Sequence, residues 1–266
     1  MTVDIIDSTS FSKRVTNWQI GAKPAIMYLP QVRQQSRSSV SVPTPSPALT
    51  PAALSRPSLE RRLRSVHRDM LRMGALVEQS CLLAKEALCD RNLEAAKQLK
   101  PHDKAIDQLY RQIEVDCINV LSLESPVTQD LRKLSAFMQM IRDLERIGDY
   151  AKDIGEVSIK LFPYPVHPCL PTIEIMLDRC RSMVALCLAA LSEFDAAAGA
   201  EIKQKDDVVD EDYETLYEQL VQTPMAVTRM EPVVLLFLVI RYLERIADHA
   251  TNVGRRVTFI VTGERS

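Results

Sequence analysis

Apolar residues recur at helical spacing along most of this chain. From Ser58 onward, apolar side chains at 63, 66, 70, 73, 76/77, 83/84 and 87/88 return every three or four positions. That period puts them on one face of an α-helix. A second helical segment is predicted from about 92 to 121. A third runs from Pro126 to about 161, with Leu131, Leu134, Met138, Ile141, Leu144 and Ile154 on its apolar side. Residues 162–171 (FPYPVHPCLP) cannot continue a helix and are read as a connector between two halves. The pattern then returns over 172–194, 200–221 and 232–261, the last opening on Pro232, whose missing N–H costs nothing at a first helical position. The first 57 residues differ. Residues 34–57 are rich in Ser and Pro without helical periodicity, and a disordered or extended linker is expected there. Trp18 and the run 25–29 suggest no function.

The predicted fold is therefore all-α: two tandem, related three-helix bundles built from six long antiparallel helices joined by short loops. A helix of about 30 residues would be about 45 Å long. The expected organisation is an extension over 1–57, a first repeat over 58–164 and a second over 165–264. Composition agrees, since seven glycines and 5 % aromatic residues in a 46 % hydrophobic chain favour helix over sheet. The longest apolar run, 233–240, has eight residues, whereas a membrane span needs roughly 20. No span is expected. The N-terminus has no apolar stretch of signal-peptide length, and a cytoplasmic location follows. Six scattered cysteines form neither a CxxC pair nor a zinc spacing, so they are expected to be reduced and mostly core-packed. The net charge of −2 hides an asymmetry. Residues 1–57 carry six Lys/Arg against two acids, which leaves about six negative charges on the helical part. An acidic body argues against nucleic acid as a partner.

The halves share more than a hydrophobic pattern. The octapeptide RDLERIGD (142–149) returns 99 residues later as RYLERIAD (241–248), with six of eight positions identical. Glu145 and Asp149, like Glu244 and Asp248, stand four apart and so lie one above the other on a helix face. The preceding helix of each half carries a matching pair. DKAIDQLY holds Asp103 and Asp107, DDVVDEDY holds Asp206 and Asp210, and each ends in a tyrosine, Tyr110 or Tyr213. One turn beyond the octapeptides stand Asp153 and Asn252. Each half thus presents a DxxxD helix beside an ExxxDxxxD/N helix.

Like charges four apart destabilise a helix by about 0.2–0.5 kcal/mol, and a second acidic helix alongside adds to that. Either protein cations neutralise these faces, with Arg142, Arg146, Arg241 and Arg245 placed to do so, or metal ions do. An all-oxygen ligand set suits hard or borderline ions such as Mg²⁺, Mn²⁺, Ca²⁺ or iron. No Glu-x-x-His pair is present, which disfavours a ferritin-like di-iron site. His102 and His249 adjoin Asp103 and Asp248, but neighbouring helix positions point about 100° apart, so both read as bystanders. The run 206–214 could be a solvated surface face, although its register with 103–110 favours a site. No phosphate-cradling Gly-rich loop, Ser/His/Asp order or Cys/His pairing appears, and no catalytic residue is assigned.

These motifs (LERIGD and LERIAD, a DxxxD on each preceding helix, TQDLRKL after Pro126, and a six-helix duplication) resemble the PhoU family over about residues 58–264. The resemblance implies a cytoplasmic and usually dimeric phosphate-transport accessory protein. Such a protein negatively regulates phosphate uptake and the phosphate-starvation response, between the phosphate ABC transporter and a sensor histidine kinase. It also implies multinuclear metal clusters, of iron, Mn or Mg, on the bundle surface. One would be held by Asp103, Asp107, Glu145, Asp149 and Asp153, the other by Asp206, Asp210, Glu244, Asp248 and Asn252. Asn252 in place of an acid removes a charge and makes the first site the fuller one; Ala247 in place of Gly148 is a small change. The rival readings are a metal-dependent phosphoester hydrolase using the same carboxylates and a purely structural helical dimer.

Overall fold

The structure, a computed structural model, describes residues 51–124, 126–223 and 229–264. The described residues form six helices: α1 (Pro51–Leu88), α2 (Leu93–Leu123), α3 (Thr128–Leu161), α4 (Leu170–Glu193), α5 (Ala198–Val221) and α6 (Met230–Thr262). No strand occurs among the described residues. Helices α1–α3 pack mutually, α4–α6 do the same, and the halves meet where α3 lies along α6 and α1 along α4. The all-α duplicated bundle is the predicted fold.

The helix boundaries have local causes. The Asn92 side chain accepts from the Glu94 and Ala95 N–H groups (3.1 and 3.2 Å), capping α2. The Asp130 carboxylate accepts from the Val127 N–H (3.2 Å) at the start of α3 and is held from α1 by Arg56 (3.1 Å). α6 ends at Gly263, whose φ of +81° is the left-handed conformation glycine adopts without a Cβ penalty. Four expectations need correction. Residues 51–57, assigned to the linker, are the first two turns of α1, and the rest of the expected extension lies outside the described residues. α3 begins at Thr128, two residues after Pro126, because Val127 is its extended N-cap (φ −85°, ψ 173°), its N–H held by the Asp130 carboxylate. α6 begins at Met230, so Pro232 is its third residue and still within the turn whose N–H groups lack helical partners. Leu131, placed on the apolar side of α3, is 44 % exposed in the first turn of that helix.

The core runs through both halves, with Met70, Met73, Phe137, Leu144 and Ile154 in the first and Met176, Val184, Leu216 and Val239 in the second. Each such side chain contributes about 1.5–3 kcal/mol by leaving water. Five of the six cysteines are buried and all are free thiols; burial pushes Cys81 and Cys187 up to about 12. They are core residues. Two glycines bring the acidic helices close. A Cβ on Gly155 would stand 2.2 Å from Leu99 Cδ1 of α2, and one on Gly254 would stand 2.7 Å from Ile202 Cδ1 of α5.

Candidate metal site

The glycine contacts set α2 against α3 and α5 against α6 with their carboxylates outward. In the first repeat Lys152 spans the two helices, its Nζ 3.0 Å from Asp103 Oδ1 and 2.9 Å from Asp149 Oδ1. Arg146 lies 3.5 Å from Glu145 and 3.4 Å from Asp149, and Arg111 lies 3.4 Å from Asp107. The structure therefore brings Asp103 and Asp149 together around an ammonium. Burial, reinforced by Asp149 and Asp107 against the pull of Lys152, raises the Asp103 carboxyl. Burial also raises Glu145, with Asp149 and Asp107 as repelling neighbours, and Asp153, with Asp149, Glu156 and Asp103. Burial opposes the charge of Lys152, but its hydrogen bonds to Asp149 and Asp103 outweigh that and leave it above the ordinary lysine range.

The second repeat is built alike and neutralised differently. Arg241 pairs with Glu244, Arg245 with Asp248 (2.9 Å), and Lys203 of α5 itself with Asp206 (3.0 Å) and Asp207 (2.8 Å). Burial raises Asp210, with Asp206 and Asp248 adding repulsion, and raises Glu244, with Asp248 adding to it. Asn252 is half-buried one turn further along α6. The equivalent of Lys152 is Thr251, which is 3 % exposed. Thr251 Oγ1 and Asp206 Oδ1 are both buried without a hydrogen-bond partner. Among the described residues no cation bridges α5 and α6 as Lys152 bridges α2 and α3.

Protein cations thus meet part of the charge, as the arginine reading anticipated, although Arg142 forms no ion pair among the described residues. Among the described residues no three His, Cys, Asp or Glu side chains are gathered into a group that could hold a metal ion. The two sites also fit a cation unequally. The donors of both are oxygens suited to a hard ion. In the first site a metal must displace Lys152, whereas in the second Asp206 offers a buried oxygen with nothing bound to it.

The two histidines have other surroundings than the carboxylates they adjoin in sequence. His249 turns away from Asp248 and sets its Nδ1 2.9 Å from Asp143 Oδ1 on α3, and His102 Nδ1 is buried without a partner. Two groups of residues were missed by sequence reasoning. Lys152 could have been found from its i, i+3 spacing to Asp149. Asp143, only 7 % exposed, is paired with His249 and with Arg256 Nε (3.3 Å) across the halves. Its signal was the Asp143/Tyr242 mismatch inside the otherwise repeated octapeptide.

The similarities to known proteins cover the same two repeats. The PhoU domain family matches residues 70–158 and again 173–257. A protein of Synechocystis sp. (strain ATCC 27184 / PCC 6803 / Kazusa), called phosphate-specific transport system accessory protein PhoU homolog, is 48 % identical over 206 residues, covering 77 % of this chain and 92 % of its own. The crystal structure of PhoU from Pseudomonas aeruginosa superposes with a TM-score of 0.75 at 32 % identity, covering 77 % of this chain and 99 % of that one. The crystal structure of the phosphate transport system regulatory protein PhoU from Streptococcus pneumoniae gives 0.72 at 27 % identity, covering 78 % and 99 %. With both repeats matched, this chain belongs to the PhoU family.

Proposed function

We propose that this chain is a non-catalytic regulator of phosphate transport. In this reading it restrains phosphate uptake and the phosphate-starvation response as a cytoplasmic adaptor, acting as a homodimer between the phosphate ABC transporter and a sensor histidine kinase. Family membership over both repeats, with a relative named as an accessory protein of the phosphate transport system, is the observation that carries it. No helix among the described residues is long and apolar enough to cross a membrane, so the reading has the chain meet its partners at their surfaces. A pull-down from phosphate-replete and phosphate-starved cells tests it. Recovery of transporter or kinase components is expected, and recovery of neither in both conditions sinks the adaptor.

The carboxylate faces are proposed to take divalent or trivalent metal ions. Asp206, Asp210, Glu244, Asp248 and Asn252 would hold them in the second repeat. Asp103, Asp107, Glu145, Asp149 and Asp153 would do so in the first, once Lys152 swings aside. The support is the unpartnered, buried Asp206 Oδ1 and the raised carboxyls of Asp103, Glu145, Asp153, Asp210 and Glu244. Bound metal would supply positive charge and open coordination positions for a phosphate oxygen or a partner carboxylate. Metal analysis of the purified chain beside Glu145→Ala and Glu244→Ala checks this; a parent chain that carries no metal under any loading condition rejects it. Phosphoester turnover lost in the same variants would favour the hydrolase reading instead.

A further inference from the structure

α3 and α6 are equivalent helices of the two repeats, and they cross antiparallel, with Gln139, Asp143 and Tyr150 of α3 meeting Arg256, His249 and Tyr242 of α6 in that order. The offset of 99 that superposes the octapeptides carries Gln139, Asp143, Tyr150 and Val157 onto Leu238, Tyr242, His249 and Arg256. In a symmetric crossing the two ends of this seam would be chemically the same. Here they are opposites. One end is a part-buried polar network around the buried Asp143: Asp143 Oδ1 to His249 Nδ1 at 2.9 Å, Asp143 Oδ2 to Arg256 Nε at 3.3 Å, and Arg256 Nη1 donating to Gln139 Oε1. At the other end Tyr150 stacks on Tyr242 with ring centroids 5.7 Å apart, and the remaining equivalents are the apolar Val157 and Leu238. His249 joins the two, stacked 5.9 Å from Tyr150.

We propose that the α3–α6 seam is a recognition surface that accepts the opposite repeat and rejects a second copy of the same one. The consequence of the wrong pairing can be read from the equivalences. If α3 met α3 of another chain in this geometry, Asp143 would face Tyr150 and Gln139 would face Val157. A carboxylate that is 7 % exposed would then be buried without Arg256 or the His249 hydrogen bond. If α6 met α6, Arg256 would face Leu238 and His249 would face Tyr242, stranding a guanidinium. An uncompensated buried charge is penalised far more than a satisfied one is rewarded, so the polar end acts against the wrong partner more than for the right one. A duplicated chain has particular need of this. Two repeats that each accept their own kind link chain to chain without closing, and the product is an open-ended string.

The test uses the full chain. The variant Gln139→Leu/Asp143→Tyr/His249→Tyr/Arg256→Val makes both ends of the seam apolar, and sedimentation velocity is followed over a wide concentration range. Replacing a buried ion pair with apolar groups leaves many folds intact, so unchanged helical circular dichroism is expected. Species larger than any formed by the parent should appear at concentrations at least tenfold lower than the parent needs. A sedimentation profile identical to the parent's at every concentration overturns the proposal. If the variant does not fold, the question passes to a double-mutant cycle in urea with Asp143→Asn and Arg256→Gln. The double variant is expected to lose clearly less than the two single variants together, whereas strictly additive losses overturn the proposal.

Discussion

Replacing Lys152 with Met removes the cation that, among the described residues, bridges α2 and α3, and leaves Asp103 without its partner and Asp149 with Arg146 alone. Lys152, Asp103 and Asp149 are 23, 18 and 26 % exposed at their side chains. The two interactions are therefore neither dry nor fully screened. Stripping one partner from a fully buried pair costs about 3–5 kcal/mol, and an exposed pair is worth about 0–1. At this exposure about 2–3 kcal/mol is expected, which shifts a urea midpoint by about 1 M at an ordinary denaturant slope. Part of the loss should return in about 0.5 M salt, where the screening length falls to a few ångströms. A metal arm adds discrimination. If the site takes cations, millimolar Mn²⁺ should stabilise Lys152→Met more than the parent, because the ammonium no longer competes for Asp103 and Asp149. The converse change, Thr251→Lys, supplies the missing cation beside α5 and should raise metal-free stability while reducing the response to Mn²⁺. A Lys152→Met midpoint within error of the parent, in low and high salt, would refute the claim that these carboxylates are held together against their repulsion.

Asn92→Ala removes the side-chain acceptor of two α2 N–H groups and should cost about 1 kcal/mol, or about 2–4 °C in thermal midpoint for a chain of this size. Gly155→Val forces a branched side chain against Leu99, which is 1 % exposed, and should cost about 1–3 kcal/mol by urea unfolding; an unchanged midpoint would show that α2 and α3 can separate freely there. The pH profile should run against ordinary acid denaturation. Asp103, Glu145, Asp153, Asp210 and Glu244 all have folded-state pKa values above their unfolded values of 3.8 (Asp) and 4.5 (Glu). Protonation therefore favours the fold: the contribution is complete below those unfolded values and is lost as pH rises through the raised ones. A five-fold Asn/Gln variant should accordingly gain on the parent as pH rises from about 4 to 7 in metal-free buffer, and parallel profiles would reject the sign.

The six-helix plan was legible because helical periodicity and the repeat report burial directly. Leu134, Ile141, Leu144 and Ile154, read from spacing, are all fully buried. Leu131 was misread because periodicity identifies a helix face without saying how far along the helix that face is buried. The start of α1 was hidden by composition: Ser and Pro near residue 51 look like a linker, yet a helix tolerates proline in its first turns. The carboxylates were legible as a set, but their partners were not. Lys152 holds Asp103 from the neighbouring helix whereas Lys203 holds Asp206 from within α5, a distinction of packing that the matched spacing conceals. The Asp143–Arg256 pair joins positions 113 apart in the chain, and nothing local announces it.

The pattern of identity in the octapeptides now has a physical reading. Two positions differ. Asp143 and Tyr242 face the opposite repeat, where the seam is polar at one end and aromatic at the other. Gly148 and Ala247 face the preceding helix, where a Cβ on Gly148 would stand 2.9 Å from Ile106 Cδ1. The residue matched to Ile106 in α5 is Val209, one carbon smaller, so the methyl gained on α6 is offset by a carbon lost on α5. Both differences are packing adjustments. Of the six identical positions, Leu144, Ile147, Leu243 and Ile246 are core, which explains their identity. The other four in each copy are two arginines, a glutamate and an aspartate, none of them buried. Packing does not require charged residues at such positions, and mutual repulsion opposes the carboxylates. Within each copy the arginines answer part of that repulsion, Arg146 pairing with Glu145 and Asp149, Arg241 with Glu244 and Arg245 with Asp248, so the proposed cation would account only for the negative charge those pairs leave over.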